Sequence, residues 1–299
     1  MSANKSHTFK DWLLATRPWS FPASAMPIVV TCAYLYWLGE PVNWLIGLWT
    51  MLNVVLFHAS ANCWSDYKDF VNGVDREDTI GGVAITSGAF TAVEIKRLAL
   101  WLLLLSVASG IALMFFTGPH VLWMAMAACV LILLYPWFKY RALGDVDIFL
   151  TYSLLPMLGT SYVVSGHFCP VVLWLMLPIG FITIGILHAN NLRDMEQDKR
   201  AKICTFAMLV GKRLSVVVYC AYILLPFLWV VATAILGILP LWSLLVLLAI
   251  KVAVGNIGHA LRFSKEGMAA MKGVDEKTAQ MQLVFSLLLT ISMFVDKLV

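Results

Sequence analysis

Apolar runs of about 20 residues recur along this chain, and that is the length that crosses the hydrocarbon core of a bilayer. Nine are read, approximately Ser20–Leu38, Trp44–Ala61, Leu98–Phe116, Val121–Trp137, Ile148–Val164, Val171–Ala189, Ser215–Ala232, Leu239–Val254 and Gln282–Val295. Helices of this length satisfy their own backbone polar groups inside lipid, which few other conformations do. The expected fold is therefore all-α, a polytopic membrane protein of about nine transmembrane helices. Composition agrees: 61% of the 299 residues are hydrophobic and 13% charged, where a soluble domain carries roughly 25% charged residues.

Lys and Arg set the expected orientation, because they concentrate in cytoplasmic loops. With the N-terminus in the cytoplasm, all but one of the 21 fall on the cytoplasmic side, and Lys297 at the far C-terminus is the exception. That sorting supports nine spans and a cytoplasmic N-terminus together. The chain reads as a single transmembrane domain over residues 1–299 with a short cytoplasmic tail, 1–18. No short apolar run ending in a cleavage site opens it, so no removable signal peptide is expected. Cys32, Cys63, Cys129, Cys169, Cys204 and Cys220 are scattered and form no CxxC pair, so spacing indicates neither a zinc site nor a disulfide framework. The segment Val252–Gln280 reads as a polar, partly amphipathic loop without an assigned role.

Two acidic stretches stand out in this oily chain. Ser65–Asp78 (SDYKDFVNGVDRED) holds Asp66, Asp69, Asp75, Glu77 and Asp78, five of the 17 acidic residues. Asn190–Asp198 (NNLRDMEQD) holds Asp194 and Asp198. The first follows the second span and the second follows the sixth, so both belong on the cytoplasmic face. Asp194 and Asp198 are four apart and share a helix face; Asp66 and Asp69, three apart, can do the same. Asn72-Gly73 reads as a turn. Either stretch alone is also what a solvated charged loop looks like. Together, at matching positions, they read as a site where carboxylates hold Mg²⁺ and leave room for phosphate oxygens. The metal candidates are Asp66, Asp69, Asp75, Asp78, Asp194 and Asp198, and all but Asp78 are also expected to be catalytic. Lys139, Arg141, Arg193 and Lys199 are candidates to meet phosphate, with Ser65, Asn62, Asn190 and Asn191 as further binding candidates. His58 and His188 precede the two stretches but are not expected to ligate metal.

Four segments resemble the UbiA superfamily of intramembrane aromatic prenyltransferases: TRPWSFPAS at Thr16–Ser24, the GVDRED end of the first stretch, YPWFKYRALGD at Tyr135–Asp145, and NNLRDMEQD. The NGVD and KYRALGD…LGTSYVVSG segments most resemble the branch that acts on 1,4-dihydroxy-2-naphthoate in menaquinone biosynthesis. The resemblance runs from about Thr16 to Gly211. It implies a UbiA-type helical bundle, Mg²⁺ as cofactor, a polyprenyl diphosphate donor and an aromatic acceptor in a lipid bilayer. It also implies a bacterial cell membrane, with the active site cytoplasmic. Neither nucleic acid nor a protein partner is indicated. Ser65 stands where the family's leading Asn falls, Val83-Ala84-Ile85 follows Gly81-Gly82, and Lys202-Ile203-Cys204-Thr205 stands in place of a GKRT-like segment.

Other readings remain open: a relative with another acceptor, such as 4-hydroxybenzoate or a lipid headgroup; a non-catalytic membrane binding protein; or a transporter. Transporters place their ionisable residues near the bilayer midplane beside broken helices, whereas these acids cluster at helix ends. The compact DG…AR…G…D…D signature of the CDP-alcohol phosphotransferases is missing.

Overall fold

A computed structural model describes residues 7–77 and 82–299. Nine of its helical segments are long and apolar enough to cross a membrane: Pro18–Leu38, Trp44–Val71, Ala92–Thr117, His120–Lys139, Gly144–Ser165, Pro170–Arg200, Lys212–Ile235, Leu241–Glu266 and Met268–Leu298. They are called the first to ninth spans below. An additional helix, Phe9–Ala15, precedes them, opened by a capping box in which Thr8 and Asp11 satisfy each other's backbone N–H groups.

Local chemistry sets several ends. The Asn43 side chain accepts from Ile46 N–H and starts the second span, and Thr91 with Glu94 forms a capping box at the third. The connections that read as turns are turns: Gly118 and Pro119 separate the third and fourth spans, and Gly166 closes the fifth.

Three expectations change. The second span continues as helix to Val71 rather than ending at Ala61, and the sixth to Arg200 rather than Ala189. Both acidic stretches thus begin on helices, because a helix does not stop where its apolar pattern stops. The segment Val252–Gln280 is not a loop: it is the end of the helix Ile250–Glu266, a short turn of helix at Met268–Met271, and the start of Val274–Leu298. Lys251 consequently lies within the eighth span, exposed on its surface.

The packing suits lipid. Large apolar side chains face outward, among them Leu45, Trp101, Phe115, Trp123 and Leu228. Polar groups face inward and pair across spans: Gln282 donates to Thr183 Oγ1 at 2.7 Å, and the Tyr219 and Thr278 hydroxyls lie 2.7 Å apart. The ninth span packs on the first, sixth and eighth. A π-type turn at Leu150–Leu154 interrupts the fifth span and carries Thr151 and Tyr152 into the wall of an internal chamber.

Candidate active site

The second span delivers Asp66 and Asp69, and the chain then doubles back. Gly73 takes a left-handed φ of 70°, a conformation open to glycine, and the Val74 and Asp75 N–H groups both donate to the Asp69 carbonyl, at 2.8 and 3.1 Å. That curl brings Asp75 back beside Asp69. Gly82 closes over it so tightly that a Cβ there would strike the Asp75 carboxylate. All three acids are buried: 2% exposed for Asp66, 5% for Asp69 and 9% for Asp75.

Buried carboxylates need counter-charge, and here it comes from elsewhere in the chain. The Arg17 guanidinium donates to Asp66. Lys139 Nζ donates to Asp69 Oδ2 at 2.8 Å and Tyr140 OH to Asp69 Oδ1 at 2.7 Å. Arg17 holds a left-handed φ of 57°, unusual for a non-glycine residue and of the kind that collects at functional sites. Burial works against its charge, but Asp66, Asp75 and Asp69 outweigh burial and hold its pKa above the ordinary value. Burial, with the charges of Asp69 and Asp66, pushes the Asp75 carboxyl up to about 7 despite Lys139 and Arg17.

The sixth span supplies the other side. Arg193 grips Asp194 with two parallel hydrogen bonds of 2.7 Å and reaches Asp275 of the ninth span at 3.0 Å. Asp198 is 2% exposed, and its Oδ2 has no hydrogen-bond partner. Lys139, bonded to Asp69, is also near enough to Asp198 for their charges to interact.

Two chambers open here. The outer one, about 910 Å³, is walled by Arg17, Asp66, Asn190, Arg193, Asp275 and Glu276, with the Phe9–Ala15 helix and Val83–Ala84 beyond. An inner one of about 150 Å³ shares Arg17, Trp19, Asn190, Asp275 and Glu276 with it and runs on to His58, Asn62, Ser65, Tyr135, Asp147, Tyr152 and Thr183. The Asn190 and Asp275 side chains each keep a buried oxygen without a partner. Asp66, Asp69, Asp75 and Asp198, the last with its orphaned oxygen, offer only oxygen and carry more negative charge than Arg17 and Lys139 cancel, though no three of their carboxylates converge within 4.8 Å of one another. Such a set suits a hard divalent cation.

Not every expected residue reaches this place. Asp66, Asn62, Ser65, Asn190 and Arg193 line a chamber; Asp69, Asp75, Asp198 and Lys139 form the buried cluster behind Asp66. Asp194 is turned into its bond with Arg193. Arg141 points away: its guanidinium lies over the Trp137 ring, 4.4 Å from the centroid, and donates to Trp137 O. Lys199 is exposed, and Asn191 is buried in packing; neither lines either chamber. Asp78 lies outside the described residues.

Several residues of the site carried no expectation. Tyr140 adjoins Lys139 and was readable only as an interfacial aromatic. Asp275 and Glu276 follow Gly273 at a helix start, where acids favour the positive end of the helix dipole; that pattern signals a helix rather than a chamber wall. Of the two histidines, His58 lines the inner chamber and hydrogen-bonds Ser24 Oγ at 3.0 Å. His188 sits between Ser215 Oγ at 2.8 Å and Asp145 Oδ2 at 3.3 Å. That order imitates a nucleophile–base–acid chain, but Ser215 and His188 are wholly buried and line no chamber. The trio fastens the fifth, sixth and seventh spans.

Comparison with known proteins agrees with the geometry. The model of the UbiA prenyltransferase family matches residues 25–272. UbiA prenyltransferase domain-containing protein 1 of Danio rerio is 32% identical over 234 residues, covering 73% of this chain and 66% of that protein. Its Xenopus tropicalis counterpart is 30% identical, covering 75% and 68%. The match thus spans about two thirds of the length of these relatives. Among solved structures, a UbiA homolog from Archaeoglobus fulgidus bound to GPP and Mg²⁺ superposes with a TM-score of 0.64 at 14% identity, covering 97% of this chain and 100% of that one. A UbiA homolog from Aeropyrum pernix K1 gives 0.62 at 14%, covering 91% and 98%. With nine apolar helices, buried acids gathered at one end and a family match across most of its length, this integral membrane protein belongs to the UbiA prenyltransferase family.

Proposed function

We propose that this chain transfers a polyprenyl group from polyprenyl diphosphate to an aromatic acceptor in a Mg²⁺-dependent reaction. The acceptor we assign is 1,4-dihydroxy-2-naphthoate, with loss of CO₂ to give demethylmenaquinol, the reduced form of demethylmenaquinone. The observation that carries the reading is the presence of four buried carboxylates, Asp66, Asp69, Asp75 and Asp198, beside a large chamber, with Arg17 on Asp66 and Lys139 on Asp69. We read that chamber as facing the cytoplasm, a reading the positive-inside pattern supports.

The residues divide the work. Asp66, Asp69, Asp75 and Asp198 would hold Mg²⁺, with Asp194 beside them. Bound there, the ion would neutralise charge building on the diphosphate as the allylic C–O bond breaks. Arg17 and Arg193 stand on the chamber wall with N–H groups suited to phosphate oxygens. Lys139 holds Asp69 in place through its 2.8 Å bond. Because these groups are fixed by packing and ion pairs beforehand, little reorganisation opposes ionisation. The departing allylic fragment carries a delocalised positive charge, and Trp19, Tyr135 and Tyr152 wall the inner chamber where it would lie; aromatic rings attract such a cation. The acceptor ring then attacks the cation and gives up its carboxylate as CO₂.

The test is direct. Purified protein is given Mg²⁺, a labelled polyprenyl diphosphate and a panel of dihydroxynaphthoate, 4-hydroxybenzoate and a polar lipid. Prenylated naphthoquinol from wild type, absent with Asp66→Ala, is the expected result. Product from another acceptor alone would overturn the acceptor, and equal product from both proteins would overturn the site.

A further inference from the structure

The end of the molecule opposite the acidic chambers carries a second group of ligand-type side chains. Glu40 follows the first span, and His167 and Cys169 lie in the connection between the fifth and sixth. Far apart in sequence, they converge so that one ligand atom from each lies within 4.8 Å of the others. His167 Nε2 is 3.3 Å from Glu40 Oε2 and 3.2 Å from Cys169 Sγ.

The tautomer matters here. His167 Nδ1 lies 3.3 Å from the Ser165 carbonyl oxygen, which can only accept, so Nδ1 carries the hydrogen. Nε2 of the neutral ring then presents a lone pair to a carboxylate oxygen and a sulfur. With Cys169 as a thiol, its S–H donates to that lone pair; with Cys169 as a thiolate, three lone-pair donors face one another and a cation among them would hold them together. A backbone carbonyl holding the remote ring nitrogen is also how metal-binding histidines are oriented.

The nitrogen–oxygen distance of 3.3 Å is close to that of a metal site, and the nitrogen–sulfur distance of 3.2 Å is shorter, so the sulfur would draw back on binding. Ligands at about 2.0–2.3 Å in a tetrahedron stand about 3.4 Å apart for nitrogen and oxygen and about 3.6 Å for nitrogen and sulfur. A thiolate with an imidazole selects borderline cations over hard ones, so Mg²⁺ does not suit this place.

The frame around it is held. Asn43 N–H donates to the Val164 carbonyl at 3.0 Å, tying the two loops together. Cys169 N–H donates to Ser161 Oγ at 3.2 Å, and Phe168 stacks on Tyr162 with centroids 4.9 Å apart. His167 is open to water on this face and Cys169 is buried.

We propose that Glu40, His167 and Cys169 bind a zinc-class divalent cation that clips the first extramembrane loop to the loop between the fifth and sixth spans. The fourth position is open to water.

The full-length protein, stripped with chelator, is titrated with Co²⁺ as a spectroscopic probe and then with Zn²⁺. One Co²⁺ per chain is expected, with a thiolate-to-cobalt charge-transfer band that Zn²⁺ abolishes and excess Mg²⁺ leaves unchanged. Cys169→Ser is expected to lose the band, and His167→Ala to lower Co²⁺ affinity more than about tenfold. Cys204→Ser, which alters an exposed cysteine elsewhere, is expected to keep both. Glu40→Gln serves as the mild variant should His167→Ala fail to fold, with the same expected loss of affinity. Absence of the band in wild type, its persistence in Cys169→Ser, or unchanged affinity in His167→Ala or Glu40→Gln would overturn the proposal and leave an imidazolium bridging Glu40 and Cys169.

Discussion

Asp66 and Asp69 of the first acidic stretch are answered by Arg17, Lys139 and Tyr140, each from another part of the chain; Asp194 of the second is answered by its immediate neighbour, Arg193. The two stretches are both acidic and each lies at the end of a span, yet they are held by different means. The first keeps its shape only while the N-terminal segment and the fourth span are in place. The second carries part of its own compensation on one helix turn and leaves Asp198 with a free oxygen. Counter-charges brought from a distance fix relative positions, because a buried carboxylate stranded without its cation is costly; a counter-charge from the next residue fixes little beyond its own turn.

The comparison breaks first at the acids. Asp66→Asn and Asp198→Asn are expected to lower prenyl transfer about 10³-fold, the order seen when a charge-stabilising group is removed from a prepared site. Asp194→Asn leaves Arg193 its bond to Asp275 and is expected to cost only about tenfold. Equal losses at Asp66 and Asp194, measured as kcat/KM with labelled diphosphate, would show that the stretches are equivalent after all.

A second, smaller effect isolates the imported cation. Lys139→Met removes the 2.8 Å partner of Asp69 and is expected to destabilise the protein by about 3 kcal/mol, the low end for breaking a buried pair, since Tyr140 still donates. Lys139→Met/Asp69→Asn is expected to recover most of that loss in thermal unfolding. An additive double variant would mean that the two side chains are not coupled.

The smallest effect is one of pH. The Asp75 carboxyl is raised to about 7, chiefly by burial, so in the metal-free protein it keeps a proton that the unfolded chain gives up near pH 4. Folded protein then binds more protons than unfolded between those values, and its stability falls as pH rises through that window. Divalent cation binding must displace the same proton. Mg²⁺ affinity is therefore expected to rise at least about tenfold per pH unit below 7 and level off above it, and Asp75→Asn should make the rise shallower. An unchanged profile in isothermal titration would take Asp75 out of the metal set.

The nine spans were legible because run length alone identifies them, and the two mouths were legible because acids are conspicuous in an oily chain. What was not legible depended on rotation and distance. Lys139 and Arg141 are two residues apart, yet one meets Asp69 in the last helical turn while the other, past the helix end, folds onto Trp137. The bend at Gly73 that returns Asp75 to Asp69 follows from Asn-Gly, but the depth of its burial does not. Asp275 was hidden because its partner, Arg193, lies 82 residues away; from sequence, the segment around it looked like a polar loop. No spacing rule connects Glu40 with His167 and Cys169 either.

The place of the ninth span has a consequence for how the molecule is made. It packs on the first and sixth spans; Asp296 accepts from Trp37 Nε1 at 2.8 Å, and Asp275 accepts from Arg193 at 3.0 Å. Synthesis runs from the N-terminus, so the first and sixth spans are made before the ninth and wait in the membrane for it. Until then the chambers have a missing wall, and Arg193, Thr183 and Trp37 face lipid or passing helices. The chamber walls that Asp275 and Glu276 supply are therefore completed only when the ninth span enters the bilayer, rather than growing as each pair of helices is added.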